Sequence, residues 1–257
     1  MTFFNGDIMF GWYQKYYWQT GFKTRFYDWL TPECYFESMR EALALLPVKN
    51  GLKIWDVGCG SGMLLKFLKE NLNHGRVYYG SDLLLDGLKC VKNRAKDLKI
   101  SSQVVCFQND MTMATPFAEN TIDIVIAHFS IYTISEIKNR QQALKNLYIS
   151  LKPNGSLILV CPSENYDAGK IIKESFKLLR IRRGYLAAMI KRIFLYPLTK
   201  ILGLNFIQRQ LESGNWIAYS KKELSEEMGR AGFETEPAIA VYAGSAYLMH
   251  GIKKCKL

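Results

Sequence analysis

Three aspartates stand where the sequence predicts the ends of strands. Asp56 lies near the end of the first apolar run, Asp82 directly follows the second, and Asp110 follows the third within the pair Asn109-Asp110. The carboxyl ends of parallel strands meet at one edge of a sheet, where open α/β folds bind their ligands. A single aspartate at such a place more often caps a turn. Three carboxylates at three successive strand ends favour a binding site for a ligand that donates hydrogen bonds.

A glycine-rich turn follows the first of these strands and reads Gly-Cys-Gly-Ser-Gly over residues 58–62. Glycine adopts backbone conformations that side chains forbid, and it lets a ligand approach the backbone closely. The spacing differs from the G-x-G-x-x-G pattern, in which a helix N-terminus meets the pyrophosphate of a dinucleotide. Asp82 is placed to accept both hydroxyls of an unphosphorylated ribose, and Asp110 to accept from an adenine amine. The pattern therefore predicts a nucleoside ligand without phosphate.

The elements that must position these residues alternate between apolar strands and amphipathic helices over residues 51–162. This alternation is typical of βαβ units and a mostly parallel sheet. The fourth strand, at residues 122–127, is rich in isoleucine, as expected for a central strand covered on both faces. A turn at residues 152–155 leads into the fifth strand. Two later apolar runs, at residues 233–240 and 246–253, are predicted to form an antiparallel pair that closes the sheet.

The charge of the chain is positive and unevenly distributed. The 257 residues carry a net charge of +11, and 49% of them are hydrophobic, which is enough for one sizeable core. No apolar run is long enough to predict a membrane-spanning helix, and no secretory leader is recognisable, so a cytoplasmic location is expected. The six cysteines are scattered without a C-x-x-C pair, and neither a metal site nor a disulfide framework is predicted.

These motifs together resemble the class I S-adenosylmethionine-dependent methyltransferases, and most of all the small-molecule group that includes quinone C-methyltransferases. The resemblance implies a Rossmann-like α/β fold with a seven-stranded, mostly parallel sheet that contains one antiparallel strand. It also implies an N-terminal aromatic helical cap, a methyltransferase core and a helical insertion after strand five. The segments that carry the likeness are IWDVGCGSG (54–62), Asp82, ND (109–110), IDIVIAH (122–128), LKPNG (151–155) and AGF (231–233). The corresponding domains are residues 1–50 for the cap, 51–162 with 220–257 for the core, and 163–219 for the insertion.

The resemblance implies S-adenosylmethionine as the cofactor. The three glycines of the turn would lie against it, Asp82 would bind its ribose, and Asp110 with Met111 would flank its adenine. His128, where the family often has a small polar residue or asparagine, would lie near the methionine end. The predicted cofactor-binding residues are Tyr27, Asp56, Gly58, Cys59, Gly60, Gly62, Asp82, Leu83, Asn109, Asp110, Met111 and His128.

Methyl transfer from a sulfonium is a displacement at an activated carbon, so the protein mainly aligns the reactants and excludes water. A base is needed only where the nucleophile must lose a proton. His128 is the first candidate, because it ends a central strand and histidine has a pKa suited to neutral pH. Tyr132 is the second candidate, and Tyr17 of the aromatic N-terminal cluster is the third. For His128 and Tyr132, simple packing remains an equally open interpretation.

Two further segments are predicted to meet the substrate. The aromatic N-terminal cap could cover the cofactor with electron-rich rings, or it could simply pack against the sheet. Residues 170–210 hold 10 basic side chains and 1 acidic one, at helical spacing opposite an apolar face. This stretch fits either a lid with a solvated outer face or a helix at an anionic membrane surface.

The predicted function is methyl transfer to a small, lipophilic molecule, with carbon, oxygen and nitrogen all open as the accepting atom. Peripheral membrane association is an open possibility, and the sequence indicates nothing about the oligomeric state. The first alternative is a nucleic-acid (RNA) methyltransferase, which the basic charge allows. However, strand four does not end in the Asn/Asp-Pro-Pro-aromatic motif of base-amine methyltransferases. The second alternative is a non-catalytic module that binds S-adenosylmethionine, which we would expect to have lost a turn glycine or Asp82.

Overall fold

A single sheet with helices on both faces positions the strand ends. The computed structural model describes residues 26–69, 72 and 75–255. The order of strands across the sheet is β3-β2-β1-β4-β5-β8-β6, and β7 pairs with β8 beside this path. The strands are β1 (Lys53–Val57), β2 (Val77–Asp82), β3 (Val104–Gln108), β4 (Ile122–His128), β5 (Leu151–Pro162), β6 (Glu234–Thr235), β7 (Ile239–Val241) and β8 (Ala246–Ile252).

The pairing confirms the predicted Rossmann-like α/β fold. Neighbours from β3 through β5 are all parallel, and β8 runs antiparallel to β5, β6 and β7. The β8 strand is therefore the one strand of the described sheet that runs against the others. The sheet has eight strands where seven were predicted, because the run 233–240 forms two short strands, β6 and β7, instead of one.

The helices cover both faces of this sheet. They are α1 (Phe26–Leu30), α2 (Glu33–Ala44), α3 (Leu65–Leu68), α4 (Leu85–Asp97), α5 (Ile137–Ser150), α6 (Ala168–Arg183), α7 (Tyr185–Ile190), α8 (Tyr196–Leu198), α9 (Asn205–Glu212) and α10 (Lys221–Arg230). Short 3-10 turns occupy Ser101–Gln103, Ile131–Thr133 and Tyr242–Gly244, and π-helical turns occupy Lys191–Leu195 and Thr199–Leu204. None of the helices in the described part of the chain is long and apolar enough to cross a bilayer.

The alternation of side chains along the central strands creates two cores. In β4, Ile124 and Ile126 belong to the core beneath α2, α4 and α6, whereas Val125 and Ala127 belong to the core beneath α5 and α10. Successive strand residues point to opposite faces, so an uninterrupted apolar strand requires a covered sheet on both sides. The isoleucine-rich β4 therefore lies between β1 and β5 at the middle of the sheet, as its sequence predicts.

Two local features differ from the sequence-based expectation. The helix expected after the glycine turn is regular only over α3, because residues 61–64 form turns before it. The turn expected at residues 152–155 is an irregularity within β5, where the register with β4 shifts and the Asn154 amide donates to the Lys253 carbonyl. Both changes leave the carboxyl edge of the sheet in the predicted place.

The N-terminal helices and the insertion pack against each other above this edge. The Cys34 amide of α2 donates to Ser175 Oγ of α6 at 3.1 Å, and both side chains are buried. The Thr199 hydroxyl donates to the Leu30 carbonyl at 2.6 Å, and Lys191 Nζ donates to the Thr31 carbonyl at 2.9 Å. Segments about 140 to 170 residues apart in the sequence thus form one roof over the sheet edge.

A buried ion pair joins α5 and α10, which lie on the face of the sheet opposite to α2 and α6. Arg140 of α5 donates through Nε to Glu227 of α10 at 2.9 Å, and it donates through Nη1 to the Ile134 and Ser135 carbonyls. The two side chains are only 6% and 7% exposed. Removing one charge from such a pair leaves the other buried without compensation.

We predict that Glu227→Gln lowers the apparent free energy of unfolding by about 3 to 5 kcal/mol, because Arg140 loses its buried counter-charge. Urea denaturation followed by circular dichroism measures this change. Glu226→Gln on the same helix is the matched control, because Glu226 pairs with Lys222 and Arg230 at the surface, and it should cost less than about 1 kcal/mol. Equal losses in the two variants would contradict the structural importance of the buried pair.

Candidate active site

The glycine turn is fastened to the end of β2. The amides of Gly58 and Cys59 both donate to the Ser81 carbonyl, at 2.8 and 3.0 Å, and the Gly60 amide donates to Asp82 Oδ2 at 2.8 Å. These contacts bring the predicted glycines and Asp82 together at the carboxyl edge of the sheet. Because the Gly62 amide also donates within the turn, to the Cys59 carbonyl, these four amides leave no N–H cradle for a phosphate.

Two backbone amides fix the Asp82 carboxylate. Oδ2 accepts from Gly60, and Oδ1 accepts from the Leu84 amide at 2.9 Å. Burial raises the pKa of this carboxyl, and the hydrogen bonds from Leu84 and Gly60 act in the opposite direction. Each carboxylate oxygen has a second acceptor site, so Asp82 can still bind the paired hydroxyls of a ribose.

The residues predicted around the adenine lie beside Asp82 at the ends of β2 and β3. Leu83 is more than half exposed, and the Asn109 amide donates to the Asp82 carbonyl at 3.1 Å. Asp110 Oδ1 accepts from the amide and the hydroxyl of Thr112, at 2.9 and 2.7 Å. Asp110 therefore caps a turn with one oxygen. The Met111 side chain reaches back to Gly58, which places it between the β3 end and the glycine turn.

Asp56 and Cys59 are buried beneath the turn. The Asp56 carboxylate accepts from the Tyr78 hydroxyl at 2.6 Å. Burial raises the pKa of Asp56 to about 7, although the Tyr78 hydrogen bond opposes this shift, and burial likewise raises the pKa of the Cys59 thiol. Both side chains therefore underlie the turn, and Asp56 holds a proton more readily than an ordinary aspartate.

His128, at the end of β4, is tied to the N-terminal helix α2. Its Nε2 lies 3.0 Å from Ser38 Oγ, and Ser38 Oγ also lies 3.0 Å from the Tyr35 carbonyl. The hydroxyl has one proton, and donating it to the carbonyl lets Oγ accept from Nε2–H, which satisfies both contacts. This hydrogen-bond network assigns the Nε2–H tautomer, with Nδ1 as a bare acceptor.

His128 was expected to be a base that titrates near neutral pH, and its buried position in the structure does not agree with this expectation. Burial lowers the pKa of His128 to about 3, because the charged imidazolium loses its hydration. The ring is also enclosed by Tyr35 and Phe129, each in an edge-on contact at 4.8 Å between centroids. His128 is therefore neutral in this structure: its Nε2–H donates to Ser38, and its Nδ1 lone pair has no partner among the described residues.

Three buried polar atoms around the turn have no hydrogen-bond partner among the described residues. They are Ser61 Oγ in the turn, Ser130 Oγ, and His128 Nδ1. Ser130 follows β4 and packs so closely on Gly58 that a Cβ there would overlap its side chain. Buried polar groups are almost always paired in folded proteins. These atoms fit a polar ligand such as the amino acid end of S-adenosylmethionine, and the engaged turn amides fit a ligand without phosphate.

A pocket opens beside this cluster, under the roof formed by the N-terminal helices and the insertion. Its walls come from the end of β4, the end of β5, and residues 198–207 of the insertion. No charged side chain of the described chain lines it. The lining residues are Leu30, Thr31, Pro32, Tyr35, Phe129, Tyr132, Pro162, Tyr166, Leu198, Thr199, Leu202, Gly203, Leu204, Ile207 and Tyr242.

The structure describes one of the other two predicted catalytic residues, Tyr132, and does not describe Tyr17. Tyr132 is buried in this pocket wall, with ring contacts to Phe129 and Trp216. Tyr17 and the side chain of Tyr27 lie outside the described residues. No group of three or more metal-binding side chains occurs in the part of the chain that the structure describes.

The structure adds residues that sequence reasoning missed. Ser130 lies two residues beyond His128, just past the strand-four segment 122–128, and nothing in the sequence signalled its contact with Gly58. Ser38 and Tyr35 gave no signal, because they reach His128 from 90 or more residues away. Asp28, which the sequence offered as half of a tyrosine-aspartate pair with Tyr27 but not as a cofactor ligand, is tied to the turn: it accepts two hydrogen bonds from Arg94, whose Nε donates to the Ser61 carbonyl.

Comparisons with known proteins agree with this geometry. Residues 55–159 match a family model described as a methyltransferase domain. The demethylmenaquinone methyltransferase of Listeria monocytogenes is 22% identical over 222 residues, which cover 84% of each chain. Phosphoethanolamine N-methyltransferase 3 of Arabidopsis thaliana is 27% identical over 149 residues, 58% of this chain and 28% of that protein. A solved S-adenosylmethionine-dependent methyltransferase of Aquifex aeolicus superposes with a TM-score of 0.57 at 16% identity, over 84% of this chain and 89% of that one.

The chain is a class I S-adenosylmethionine-dependent methyltransferase. Its predicted similarity to the quinone C-methyltransferases is confirmed by a ubiquinone and menaquinone biosynthesis C-methyltransferase of Methylococcus capsulatus, which is 23% identical over 76% of this chain and 72% of that one. The matches also support S-adenosylmethionine as the cofactor, as the sequence predicted.

We predict that Gly58→Ala weakens binding of S-adenosylmethionine and destabilises the fold, because the new methyl group overlaps Ser130 at a backbone φ of +72°. Calorimetry measures the affinity, and thermal unfolding measures the stability. Gly214→Ala is the control: its φ is +74° and its Cβ would meet nothing. Gly214→Ala should lower the free energy of unfolding by only about 1–2 kcal/mol, which is the cost of alanine in a left-handed backbone conformation. It should leave the affinity for S-adenosylmethionine unchanged. Equal effects on affinity in the two variants would contradict the close contact at Gly58.

Asp56 and His128 make opposite contributions to the pH dependence of stability without cofactor. The raised pKa of Asp56 stabilises the fold at low pH, and this contribution is lost as the pH rises from the ordinary carboxyl value to about 7. Because the pKa of His128 is lowered, its contribution to the stability of the fold is complete only above pH 6.5, the ordinary pKa of histidine. This contribution is lost as the pH falls towards about 3. Between these limits the two contributions largely cancel.

We therefore predict that the two contributions separate in single variants. Relative to wild type, the unfolding free energy of Asp56→Asn should rise between about pH 4 and 6.5, and that of His128→Gln should fall, each by up to about 1.4 kcal/mol per pH unit. Urea denaturation across this range measures the slopes. Slopes of the same sign in both variants would show that at least one of the two shifts is misassigned.

Proposed function

We propose that this methyltransferase modifies a small, apolar, lipid-like acceptor bound in the pocket beside the cofactor cleft. The observation that carries the proposal is the lining of that pocket, which contains aromatic and aliphatic side chains and no charged one among the described residues. An apolar pocket with few polar groups binds an uncharged hydrophobic molecule well. A phosphorylated or nucleic-acid acceptor would instead need Lys or Arg for its phosphates.

The residues that would hold the cofactor lie on one side of the segment 128–130. Asp82 would accept the ribose hydroxyls, Leu83 and Met111 would cover the adenine, and Ser61 and Ser130 would pair with the amino acid end. Bound there, S-adenosylmethionine supplies a methyl group made electrophilic by its sulfonium. The buried turn beneath it excludes water from this side, which favours displacement by the acceptor over hydrolysis.

The pocket lies on the other side of the same segment. Ser130 contacts Gly58, whereas its neighbour Phe129 lines the pocket and stacks on Tyr35 at 5.5 Å between centroids. Phe129 has a backbone φ of +53°, a conformation that side chains disfavour and that tends to occur at functional sites. Consecutive side chains therefore contact the cofactor turn and the acceptor pocket, so the two reactants would meet across residues 128–130.

His128 would act in its neutral form. A histidine with a pKa of about 3 is a weak base, so it would orient an acceptor hydroxyl or the cofactor ammonium through its Nδ1 lone pair. Ser38 is the group that fixes this tautomer. The aromatic rings of Tyr35, Phe129 and Tyr242 would pack on the acceptor and hold it against the cleft.

The names of two relatives point to substrates of different polarity. The Listeria relative is named for demethylmenaquinone and the Arabidopsis relative for phosphoethanolamine. The apolar lining supports an acceptor of the first kind, because phosphoethanolamine carries charges that this pocket does not match.

The test is transfer of isotopically labelled methyl groups from S-adenosylmethionine to a cell extract separated into lipid, aqueous and RNA fractions. We expect the label in the lipid fraction. Asp82→Asn should weaken cofactor binding about 10- to 100-fold, through lost hydrogen bonds to a charged acceptor. Leu202→Trp should narrow the pocket mouth and reduce labelling of the acceptor while cofactor affinity is unchanged.

Matched controls are Asp97→Asn at the exposed end of α4 and Ile239→Trp on β7, outside the pocket. Both should behave like wild type. Label in RNA would support a nucleic-acid methyltransferase instead, and cofactor binding without any labelled product would support a non-catalytic module. Either result would overturn the proposed acceptor class.

A further inference from the structure

The outer side of the insertion carries a row of exposed apolar side chains. Along residues 186–202 they recur every three or four positions, which places them on one side of a helical run. The run includes two π-helical segments, whose wider turns keep a spacing of four on the same side. Leu186 is 76% exposed and Phe194 is 67% exposed. The members of this row are Leu186, Ile190, Ile193, Phe194, Leu198, Ile201 and Leu202, and we call them the apolar stripe.

The apolar stripe continues into the mouth of the pocket. Leu198 and Leu202 are more than 40% exposed, and they also line the pocket. Leu30 also belongs to the pocket wall, and its neighbour Trp29 is 63% exposed. Tryptophan is enriched where proteins meet the interface of a bilayer. A hydrophobic molecule that leaves a lipid phase at the stripe would reach the pocket without crossing water.

Positive charge flanks the apolar stripe. Arg180 and Arg183 end α6 next to the stripe, and Lys200 lies within its span. All three are exposed, and none forms an ion pair with another residue of the described chain. Residues 170–210 contain a single acidic side chain, Glu174, which pairs with Lys177. Exposed apolar side chains beside unpaired cations are complementary to an anionic bilayer, which offers acyl chains and negative headgroups together.

We propose that the apolar stripe and its flanking cations dock this enzyme on an anionic membrane, with the pocket mouth facing the lipid. Docking itself depends only on this surface. The delivery of the acceptor from the bilayer to the pocket rests on the proposed function, because it requires an apolar acceptor. The occupant is a bilayer surface, since the charge would repel a second copy of the same basic face.

The experiment is flotation of the full chain with vesicles of phosphatidylcholine, alone or with phosphatidylglycerol. Wild type should float with the anionic vesicles and far less with the neutral ones. Leu186→Gln/Phe194→Gln should reduce the vesicle partition coefficient by about tenfold or more, because two side chains no longer enter the acyl region. Its control, Val48→Gln/Ile137→Gln, removes exposed apolar side chains elsewhere and should float like wild type.

A second pair of variants tests the charge. Arg180→Gln/Arg183→Gln/Lys200→Gln should lose about fivefold in partition for each charge that contacts the lipid. Lys92→Gln/Lys96→Gln/Lys222→Gln removes the same charge from exposed positions on α4 and α10, and it should change partition far less. Equal losses in the two triple variants would show that net charge, and no particular surface, attracts the protein, and would overturn the proposal.

Further measurements distinguish membrane docking from self-association of the protein and from the proposed function. Failure of wild type to float, or unchanged flotation of the Leu186 and Phe194 variant, would overturn membrane docking. Sedimentation that shows a dimer in wild type and a monomer in this variant, without flotation, would assign the stripe to self-association and also overturn it. Calorimetry with S-adenosylmethionine in the absence of vesicles tests the cofactor site separately. A protein that binds the cofactor but does not float would overturn docking alone, and one that floats but does not bind the cofactor would overturn the proposed function alone.

Discussion

The attachment of the glycine turn to the end of β2 is the contact on which the proposed cofactor site depends. One carbonyl, that of Ser81, receives two turn amides, and the neighbouring Asp82 carboxylate receives a third. Four of the five turn amides are therefore already engaged before any ligand binds, by Ser81, Asp82 and Cys59. A cofactor without phosphate suits this arrangement, because the turn offers close approach and a carboxylate in place of an N–H cradle.

The pocket proposed for the acceptor depends on contacts of a different kind. Its roof consists of the N-terminal helices and the insertion, which are far apart in the sequence and bind each other through Thr199 and Lys191. The same roof reaches down to the sheet through Ser38 and His128, so one network closes the pocket and sets the tautomer beside it. Burial also sets the protonation of nearby groups: it keeps His128 neutral at the end of β4, and it raises the pKa of Asp56 beneath the glycine turn.

The sequence predicted the carboxyl edge of the sheet better than the pocket. Asp82 and the turn glycines follow from strand periodicity and from where parallel strands must end, which are properties of short segments. The predicted strands β1 to β5 and β8 are present for the same reason. The split of residues 233–240 into β6 and β7, the shortened α3 and the irregularity in β5 depend on pairing with distant strands, and local patterns carry no signal for them.

By itself, the sequence determined the α/β fold, the class of methyltransferase and the cofactor, because a glycine turn, strand ends and apolar periodicity are encoded over a few residues each. Only the tertiary structure decided that His128 is neutral and held by Ser38, that Ser130 lies against Gly58, and that the stripe of the insertion ends at the pocket mouth. Desolvation and contacts across tens to more than a hundred residues decide these properties, and they exist only once the chain has folded.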